Sequence, residues 1–319
     1  MTLKLPWPQK TLTRWLLAAA AALLVASLAI MAANYRFPSF FSLETPPDDS
    51  PGLMTTDTIL TIGDDLFSNW LPNDVAWPTI FLDNPQNFQL GALEMLRYTA
   101  RVMRDNLPRQ RNSDGLDPDC DVAFTLLSND PFKWYLPSAE SRFKEAMAKY
   151  RSYRARLVAG QAVFSPRLDN LRELLEQYIS LLGAINTRLA NAPNSQRLKA
   201  GQSPPPPAKE TAGGPDQSAD AYVPWRKLDD NFYYAQGAAY VLRQMLMAVK
   251  YDFAKLLADR NAAAQLDNII AVLDQSQFEP LWVANGGVGS ILANHSMELH
   301  SLLENARQRL RNLNEMLGS

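Results

Sequence analysis

Cysteine and histidine are almost absent from this 319-residue chain, which has one cysteine, Cys120, and two histidines, His295 and His300. A single cysteine excludes an internal disulfide, so an apolar core must stabilise the fold. Cys120 also lies too far from the N-terminal apolar run to be a lipid-attachment site. We expect a buried, unreactive thiol, with a covalent dimer through Cys120 as the alternative.

Motifs for catalysis, phosphate binding and metal binding are also missing from the sequence. It contains no G-x-S-x-G elbow, no phosphate-binding loop, no dinucleotide fingerprint and no set of zinc-binding cysteines. Asp117, Asp119 and Asp121 have the spacing that opens an EF-hand calcium loop, whose sixth and twelfth positions must be Gly and Glu. Val122 and Ser128 stand at those positions, so the motif fails. We therefore expect solvated carboxylates in a polar loop rather than a non-standard calcium site, with no metal and no cofactor.

Neither sign of charge is in large excess, since 31 basic and 33 acidic residues give a formal net charge of −2 at pH 7. Nucleic-acid-binding proteins present a strongly basic face, and this chain offers no comparable excess. We therefore expect no nucleic-acid partner.

The basic residues are densest between residues 142 and 156, where Arg151, Arg154 and Arg156 follow one another closely. These three arginines are candidates for binding an anionic surface or ligand, such as lipid headgroups or an acidic partner. The alternative is a solvated helix face that pairs with Glu140 and Glu145, and the charges alone favour it.

One long apolar run covers residues 15–33, with no charged residue and with Ser27 as its only clearly polar side chain. As a helix rising about 1.5 Å per residue, it extends roughly 28 Å, close to the thickness of the hydrocarbon core of a bilayer. Lys4, Lys10 and Arg14 precede the run. The positive-inside rule therefore predicts a cytoplasmic segment 1–14 and an exported region after the run.

A cleaved secretory signal is the alternative to a retained membrane anchor. Cleavable signals have apolar cores of roughly 7–15 residues followed by a small-x-small site. Here the run is longer, and Ile30-Met31-Ala32 puts a branched residue where a small one is needed. An uncleaved anchor is therefore favoured, which makes the lipid bilayer a partner. The many alanines in the run also allow helix pairing, so a homo-oligomer stays open.

Residues 34–55 contain several prolines and no sustained periodicity, so they predict a juxtamembrane linker. Its aromatic residues Tyr35, Phe37, Phe40 and Phe41 are placed to sit at the lipid interface.

The remaining residues, 56–319, repeat apolar side chains at spacings of three and four, which predicts helices. The strongest pattern starts at Ser165-Pro166, a capping residue followed by proline, and continues for three heptads to Leu189, as in a coiled coil or bundle seam. No alternating β-branched run competes, so the fold class is all-α: one transmembrane helix followed by an elongated or globular bundle of about seven helices. These helices are predicted over residues 57–71, 85–107, 138–158, 166–189, 235–256, 266–273 and 299–317.

Two connections interrupt the predicted helices. Residues 109–137 predict an irregular polar connection. Residues 191–221 contain four consecutive prolines, Pro204 to Pro207, and almost no large apolar side chain, so they predict a long disordered loop. We expect this loop to interrupt a single helical domain rather than to separate two.

His295 and His300 are five residues apart, so they point about 140° apart on a helix. They do not share a face, unlike the i, i+4 histidines of a zincin. Glu298 and Glu304 follow them at helical spacing and can orient the imidazoles. His295, His300 and Glu298 are therefore the candidates for acid–base or metal chemistry. Surface pairing beside a packing stripe is the favoured alternative.

The strings D-P-F-K-W-Y-L-P-S-A-E-S-R-F at residues 130–143 and L-A-N-H-S-M-E-L-H at residues 292–300 resemble a family of bacterial proteins of unknown function. Members of that family are single-span proteins of similar length from Gram-negative species. The resemblance covers nearly the whole chain and implies an envelope location and a helical exported region. Combined with the apolar run, it leads us to expect a protein of the bacterial inner membrane whose bulk lies in the periplasm. It implies no activity and transfers no catalytic or binding residue.

The sequence predicts function only by class. The anchor, the regular seams and the missing motifs favour a non-enzymatic scaffold or partner-binding protein of the cell envelope. One alternative is an enzyme that acts on cell-wall glycan or lipid. Another is a periplasmic ligand sensor, which would have to work through a partner protein because only residues 1–14 precede the apolar run.

Overall fold

The computed structural model describes residues 9–45, 50–75, 77–111, 114–191, 228–280, 283 and 294–318. Within these residues it has ten α-helices, one 3-10 turn at Thr79–Phe81 and no β-strand, which confirms the predicted all-α class. The helices are α1 (Gln9–Asn34), α2 (Leu53–Ser68), α3 (Asp83–Asp105), α4 (Pro118–Leu127), α5 (Ala139–Val158), α6 (Leu168–Asn191), α7 (Leu228–Asp252), α8 (Ala254–Asp259), α9 (Ala263–Asp274) and α10 (His295–Gly318).

Helix α4 lies inside the segment 109–137, for which the sequence predicts an irregular connection, and that prediction is wrong. Asp117 caps the helix: its Oδ1 accepts hydrogen bonds from the backbone N–H groups of Asp119, at 3.0 Å, and Cys120, at 3.2 Å. Pro118 occupies the first turn, where its missing N–H costs nothing. The acidic residues that suggest a polar loop are instead stabilising at a helix N-terminus.

Helix α6 begins at Leu168, two residues after the predicted start at Pro166. The backbone N–H of Ser165 donates to the carbonyl of Leu107 at 2.7 Å, which ties this turn to the end of α3. The predicted helix 235–256 is in fact α7 and α8, separated at Phe253. The predicted loop 191–221 lies, after Asn191, outside the described residues.

Helix α7 is the centre of the fold and packs against α2, α3 and α9. It approaches α3 so closely that glycine is required on both helices. A Cβ atom at Gly91 would lie 1.9 Å from the carbonyl oxygen of Tyr234, and one at Gly237 would lie 1.9 Å from that of Phe88. The two backbones are therefore in direct contact.

Helices α6 and α10 pack antiparallel, with Asn186 facing Glu304 and Glu176 facing Asn314. The predicted seam of α6 forms this contact together with neighbouring helices. Its apolar residues are buried: Leu171, Leu175, Tyr178, Leu182, Ile185 and Leu189. They belong to a continuous apolar core with residues from α2 to α10.

Gly52, whose φ of +89° favours glycine, directly precedes α2, and a residue distant in sequence caps the start of this helix. The buried carboxylate of Asp252, at the end of α7, accepts hydrogen bonds from the backbone N–H of Gly52 at 2.9 Å and of Thr55 at 2.7 Å. The Thr55 hydroxyl donates a third, at 2.6 Å. This carboxylate fastens the start of α2 to the end of α7.

Candidate functional site at the base of the apolar helix

Helix α1 contains the predicted span 15–33 and is long and apolar enough to cross a membrane. Its large side chains have almost no partner in the described part of the chain: Trp15 is 65% exposed, Leu17 66% and Val25 66%. Ser27 is satisfied within the helix, since its hydroxyl donates to the Leu23 carbonyl at 2.5 Å. A helix with an apolar surface on all sides and its polar groups paired internally suits a lipid environment.

A strap, residues 35–45, connects α1 to the helical body and packs against α7. The ring of Phe37 is stacked on that of Tyr233, with centroids 5.3 Å apart and an interplanar angle of 6°. The ring of Phe40 is stacked on that of Tyr240, at 5.8 Å and 5°. The later residue of the strap contacts the later residue of α7, so the strap runs parallel to α7 in chain direction.

Further contacts hold the strap in place. The guanidinium of Arg243 lies 4.4 Å from the centre of the Phe40 ring, and the side-chain amide of Gln244 donates to the Phe41 carbonyl at 3.0 Å. Phe37, Phe40 and Phe41 are thus partly buried against the core. The rings of Phe37 and Phe40 stack on α7, and Phe41 packs against the core, so all three residues have partners in the body. Their placement at the lipid interface, like that of the 46%-exposed Tyr35, stays a prediction.

The base of α1 is bound to the body where α2 ends and α3 begins. The side-chain amide of Asn69, which follows α2, donates to Asn34 Oδ1 at 2.9 Å. The side-chain amide of Asn84, in the first turn of α3, donates to the Tyr35 hydroxyl at 3.2 Å. Helix α1 also contacts the 3-10 turn Thr79–Phe81. One end of the body therefore borders the apolar helix.

Exposed aromatic and aliphatic side chains are concentrated at this end of the body. They lie in the α2–α3 and α4–α5 loops, which are bonded together: Trp70 Nε1 donates to the Pro131 carbonyl at 2.9 Å, and Asn73 Nδ2 donates to the Lys133 carbonyl at 3.1 Å. We name this group the end patch. It consists of Trp77, Ile80, Phe81, Trp134, Tyr135 and Leu136.

The three arginines proposed to bind an anion are paired with acidic residues of α2 and α4. Arg151 binds Asp64 at 2.5 Å, and Arg154 makes a two-pronged contact with Asp57. Their charges are therefore neutralised within the protein. Of the partners expected from the sequence, Glu145 binds Arg142, whereas the carboxylate of Glu140 accepts from Asn73.

Arg156 bridges the two acidic residues that also begin α4. Its Nη2 lies 2.7 Å from Asp117 Oδ1 and 2.8 Å from Asp119 Oδ2. The hydrogen bond to Asp117 raises the pKa of Arg156 above its ordinary value, although burial opposes the shift. Asp117 and Asp119 are therefore held in an ion-pair network, and the expectation of plain solvated carboxylates is wrong for both.

Cys120 is fully buried, in agreement with the predicted unreactive thiol. Burial raises its pKa, and the negative charge of Asp117 adds to the effect. A thiol that is enclosed and protonated is not available for bonding to a second chain.

His295 begins α10, with its ring 6.2 Å from that of Phe278. His300 lies more than a turn further on, and its buried Nδ1 has no hydrogen-bond partner among the residues that the structure describes. Glu298 is exposed. Among the described residues, no group of three or more His, Cys, Asp or Glu side chains is arranged to hold a metal ion.

The carboxylate near His300 is engaged in the α6–α10 contact. Glu304 accepts a hydrogen bond from Asn186 at 2.8 Å and binds Arg307 at 3.0 Å. Burial acts to raise the pKa of Glu304, but the hydrogen bonds from Arg307 and Asn186 prevail and lower it. This arrangement is typical of a packing seam with polar pairs.

A groove of about 380 Å³ opens between the strap and α7. Phe37 and Phe40 line one side, and Gln236, Asp274 and Glu279 line the other. Asp274 is already bound to Arg243 at 2.8 Å.

Taken together, these features define an all-α protein with one N-terminal helix able to span a membrane and a helical body bound to its base. The chain belongs to the bacterial family described as "Uncharacterized protein conserved in bacteria (DUF2333)", which it matches over residues 42–319. This confirms the resemblance seen in the sequence. No curated protein and no solved structure matches the chain. The family match begins within the strap and includes α2 to α10.

Proposed function

We propose that this protein is a single-pass component of the bacterial inner membrane whose helical body is held in the periplasm as a non-enzymatic, partner-binding scaffold. The observation that carries the proposal is the continuous connection from α1 through the strap to α7. An exposed apolar helix leads directly into a segment that stacks on the central helix of the body.

The packed strap supports a scaffold because it restricts how the body can move relative to the anchor. Each stacked aromatic pair contributes about 0.5–1.5 kcal/mol beyond the apolar area that it buries. A flexible linker would let the body diffuse around its anchor, whereas this strap fixes one end of the body beside α1. Partners would then meet the body in a defined orientation.

The proposed orientation follows from charge. Three basic residues, Lys4, Lys10 and Arg14, precede the span, whereas the strap after it carries one basic residue, Arg36, and one acidic residue, Glu44. Positive residues are retained on the cytoplasmic side, which directs the body to the periplasm.

The dispersal of the candidate catalytic groups favours binding over catalysis. The three arginines are paired with carboxylates of other helices, and the carboxylate nearest His300 is bound to Asn186 and Arg307. A catalytic site needs a nucleophile, a base and an orienting group within reach of one another. Paired groups in a helix seam serve packing instead.

Reporter fusions at the C-terminus test the topology. An alkaline phosphatase fusion should be active and a green fluorescent protein fusion dark, because phosphatase folds in the periplasm and the fluorescent protein exported unfolded does not. A fluorescent fusion with an inactive phosphatase would overturn the orientation.

Cross-linking in cells tests the scaffold role. A photo-reactive amino acid placed at the exposed positions Val158 and Met297, on different helices, should give discrete adducts that recur between preparations. Adducts made only of this chain would identify a homo-oligomer as the assembly. Absence of any adduct at these and neighbouring exposed positions would contradict a scaffold.

A further inference from the structure

We propose that the end patch rests in the headgroup layer of the membrane leaflet from which α1 emerges, so that lipid contacts the body at a second place. The inference rests on the proposed function in one respect, because it requires that α1 spans the bilayer. It adds a lipid-binding surface on the body itself.

The exposure of the end patch is too large and too concentrated for an ordinary water-facing surface. The most buried of its six side chains, Ile80, is 48% exposed, and the least buried, Leu136, is 88% exposed. Trp134 and Tyr135 are neighbours with ring centres 6.0 Å apart. Outside the α2–α3 and α4–α5 loops, no large apolar side chain of the described body is more than 47% exposed. A concentration of exposed apolar groups marks a surface that is covered in use.

The position of the end patch identifies what covers it. The 3-10 turn that carries Ile80 and Phe81 is in contact with α1. Asn69, at the start of the same loop, is hydrogen-bonded to Asn34, where α1 ends. Lipids that surround the end of α1 must therefore border the turn, and the bonds from Trp70 and Asn73 bring the second loop to the same end.

The chemistry of the end patch also suits a headgroup layer. Trp and Tyr are enriched at membrane interfaces because their rings are apolar and their N–H and O–H groups remain hydrated. The ammonium of Lys133 lies 4.8 Å from the centre of the Tyr135 ring, where its charge can reach lipid phosphates while its stem lies along apolar groups. The residues of the end patch lie on loops rather than along one face of a helix, and loops often carry the side chains that insert into a membrane interface.

Depth measurements on the full chain in lipid nanodiscs test the proposal. Because Cys120 is buried, single cysteines introduced by Tyr135→Cys, Val122→Cys and Val25→Cys can each carry an environment-sensitive fluorophore. Val122 is exposed on the body outside the end patch, and Val25 lies within α1. The nanodiscs contain phosphatidylcholine and phosphatidylglycerol, either without bromine or with bromine on the acyl chains, near the headgroup for position 135 and near the chain ends for position 25.

Brominated lipid should quench the fluorophore at position 135 by about two-fold or more, as expected for interfacial depth, and leave that at position 122 unchanged. Unquenched fluorescence at position 135 with a quenched signal at position 25 would overturn the lipid contact and leave the anchor intact. Loss of quenching at position 25 would overturn the anchor and with it both proposals. A cross-link from position 135 to another protein in cells, without quenching in nanodiscs, would assign the end patch to a protein partner instead.

A second variant protects the test against local misfolding at one site. Trp77→Ser with Trp134→Ser removes two rings from the end patch, and Leu116→Ser with Val158→Ser is the control for general loss of exposed apolar groups. In nanodiscs, proteolysis in the α4–α5 loop should accelerate several-fold in the first variant and not in the control. Equal rates in both, with circular dichroism unchanged, would contradict the proposal.

Discussion

Phe37 and Tyr233 lie face to face, with ring centres 5.3 Å apart and planes within 6° of parallel. Phe37 is three residues beyond the end of α1, and Tyr233 is in the second turn of α7. Only two residues therefore separate the end of α1 from a ring that is stacked on the central helix of the body. Because this connection is short, the position of the body depends on that of α1.

Phe37→Ala should destabilise the body by about 1–3 kcal/mol, because the stack on Tyr233 and the edge contact with Phe88, at 5.3 Å, are both lost. Urea unfolding of the detergent-solubilised protein, followed by circular dichroism, measures the change. Phe132→Ala is the matched control, since that ring is 56% exposed and its loss should cost no more than about 0.5 kcal/mol. Equal effects of the two substitutions would show that the strap does not stabilise the body.

Asp252→Asn should lower the free energy of unfolding by about 1–3 kcal/mol at neutral pH. Both oxygens of the carboxylate accept hydrogen bonds, one from Gly52 and one from Thr55. In the asparagine variant an amide N–H₂ group replaces one oxygen, so one of these two donors loses its acceptor. Thr61→Val is a control, because that hydroxyl bonds only within its own helix. A loss no larger than that of the control would exclude Asp252 as the cap of α2.

The same substitution should change the pH dependence of stability. Burial raises the pKa of Asp252 above its ordinary value of 3.8, although hydrogen bonds from Thr55 and Gly52 act to lower it. The folded protein then binds this proton more tightly than the unfolded chain, so the contribution of the group falls as pH rises from the unfolded to the folded pKa. The stability difference between wild type and Asp252→Asn should therefore narrow over that interval. Widening with rising pH would contradict the sign.

Arg156→Gln should cost about 2–3 kcal/mol, because it removes the cation paired with Asp117, whose side chain is only 9% exposed, and leaves Asp119, 14% exposed, with Lys149 at 3.9 Å as its remaining cation. Arg151→Gln is the matched control. Its pair with Asp64 is about half exposed on both sides, and the loss should be within about 1 kcal/mol. Thermal unfolding in low and high salt measures both. An equal loss of stability in the two variants would contradict the larger contribution that we assign to the buried ion pairs of Arg156.

Cys120 should react with N-ethylmaleimide at least about 100-fold more slowly in the folded protein than in denaturant, because only opening of the core exposes it. The raised pKa slows the reaction further, since little thiolate is present at neutral pH. Tyr135→Cys gives an exposed comparison site in the same chain. Rapid labelling of native Cys120, or a non-reducing dimer through it, would contradict the buried position.

The sequence predicts a helix correctly where the apolar pattern within that one segment is sufficient to identify it. The apolar spacing from Leu171 to Leu189 predicts the buried face of α6, and the uncharged run predicts the exposed helix α1. The same spacing does not identify helix α4, because it has only ten residues and only two of its four buried residues, Leu126 and Leu127, are large.

The candidate site depends on contacts that no local pattern contains. Phe37 and Tyr233 belong to distant segments, so their stacking could not be derived from either one. Similarly, Trp77 and Trp134 are of residue types that are usually buried in a core, and only the fold shows them exposed at one end. Arg156 and Asp117 appear separately in the sequence, as a basic segment and an acidic loop, and only packing of α4 on α5 joins them.

The most direct test of the membrane-anchored account is labelling of the full chain with Val122→Cys by a membrane-impermeant maleimide in spheroplasts. Residue 122 is exposed on the body and lies outside the end patch, so lipid does not shield it. A span through α1 with the body in the periplasm predicts full labelling of intact spheroplasts, unchanged by lysis. Labelling only after lysis would place the body in the cytoplasm and contradict the account.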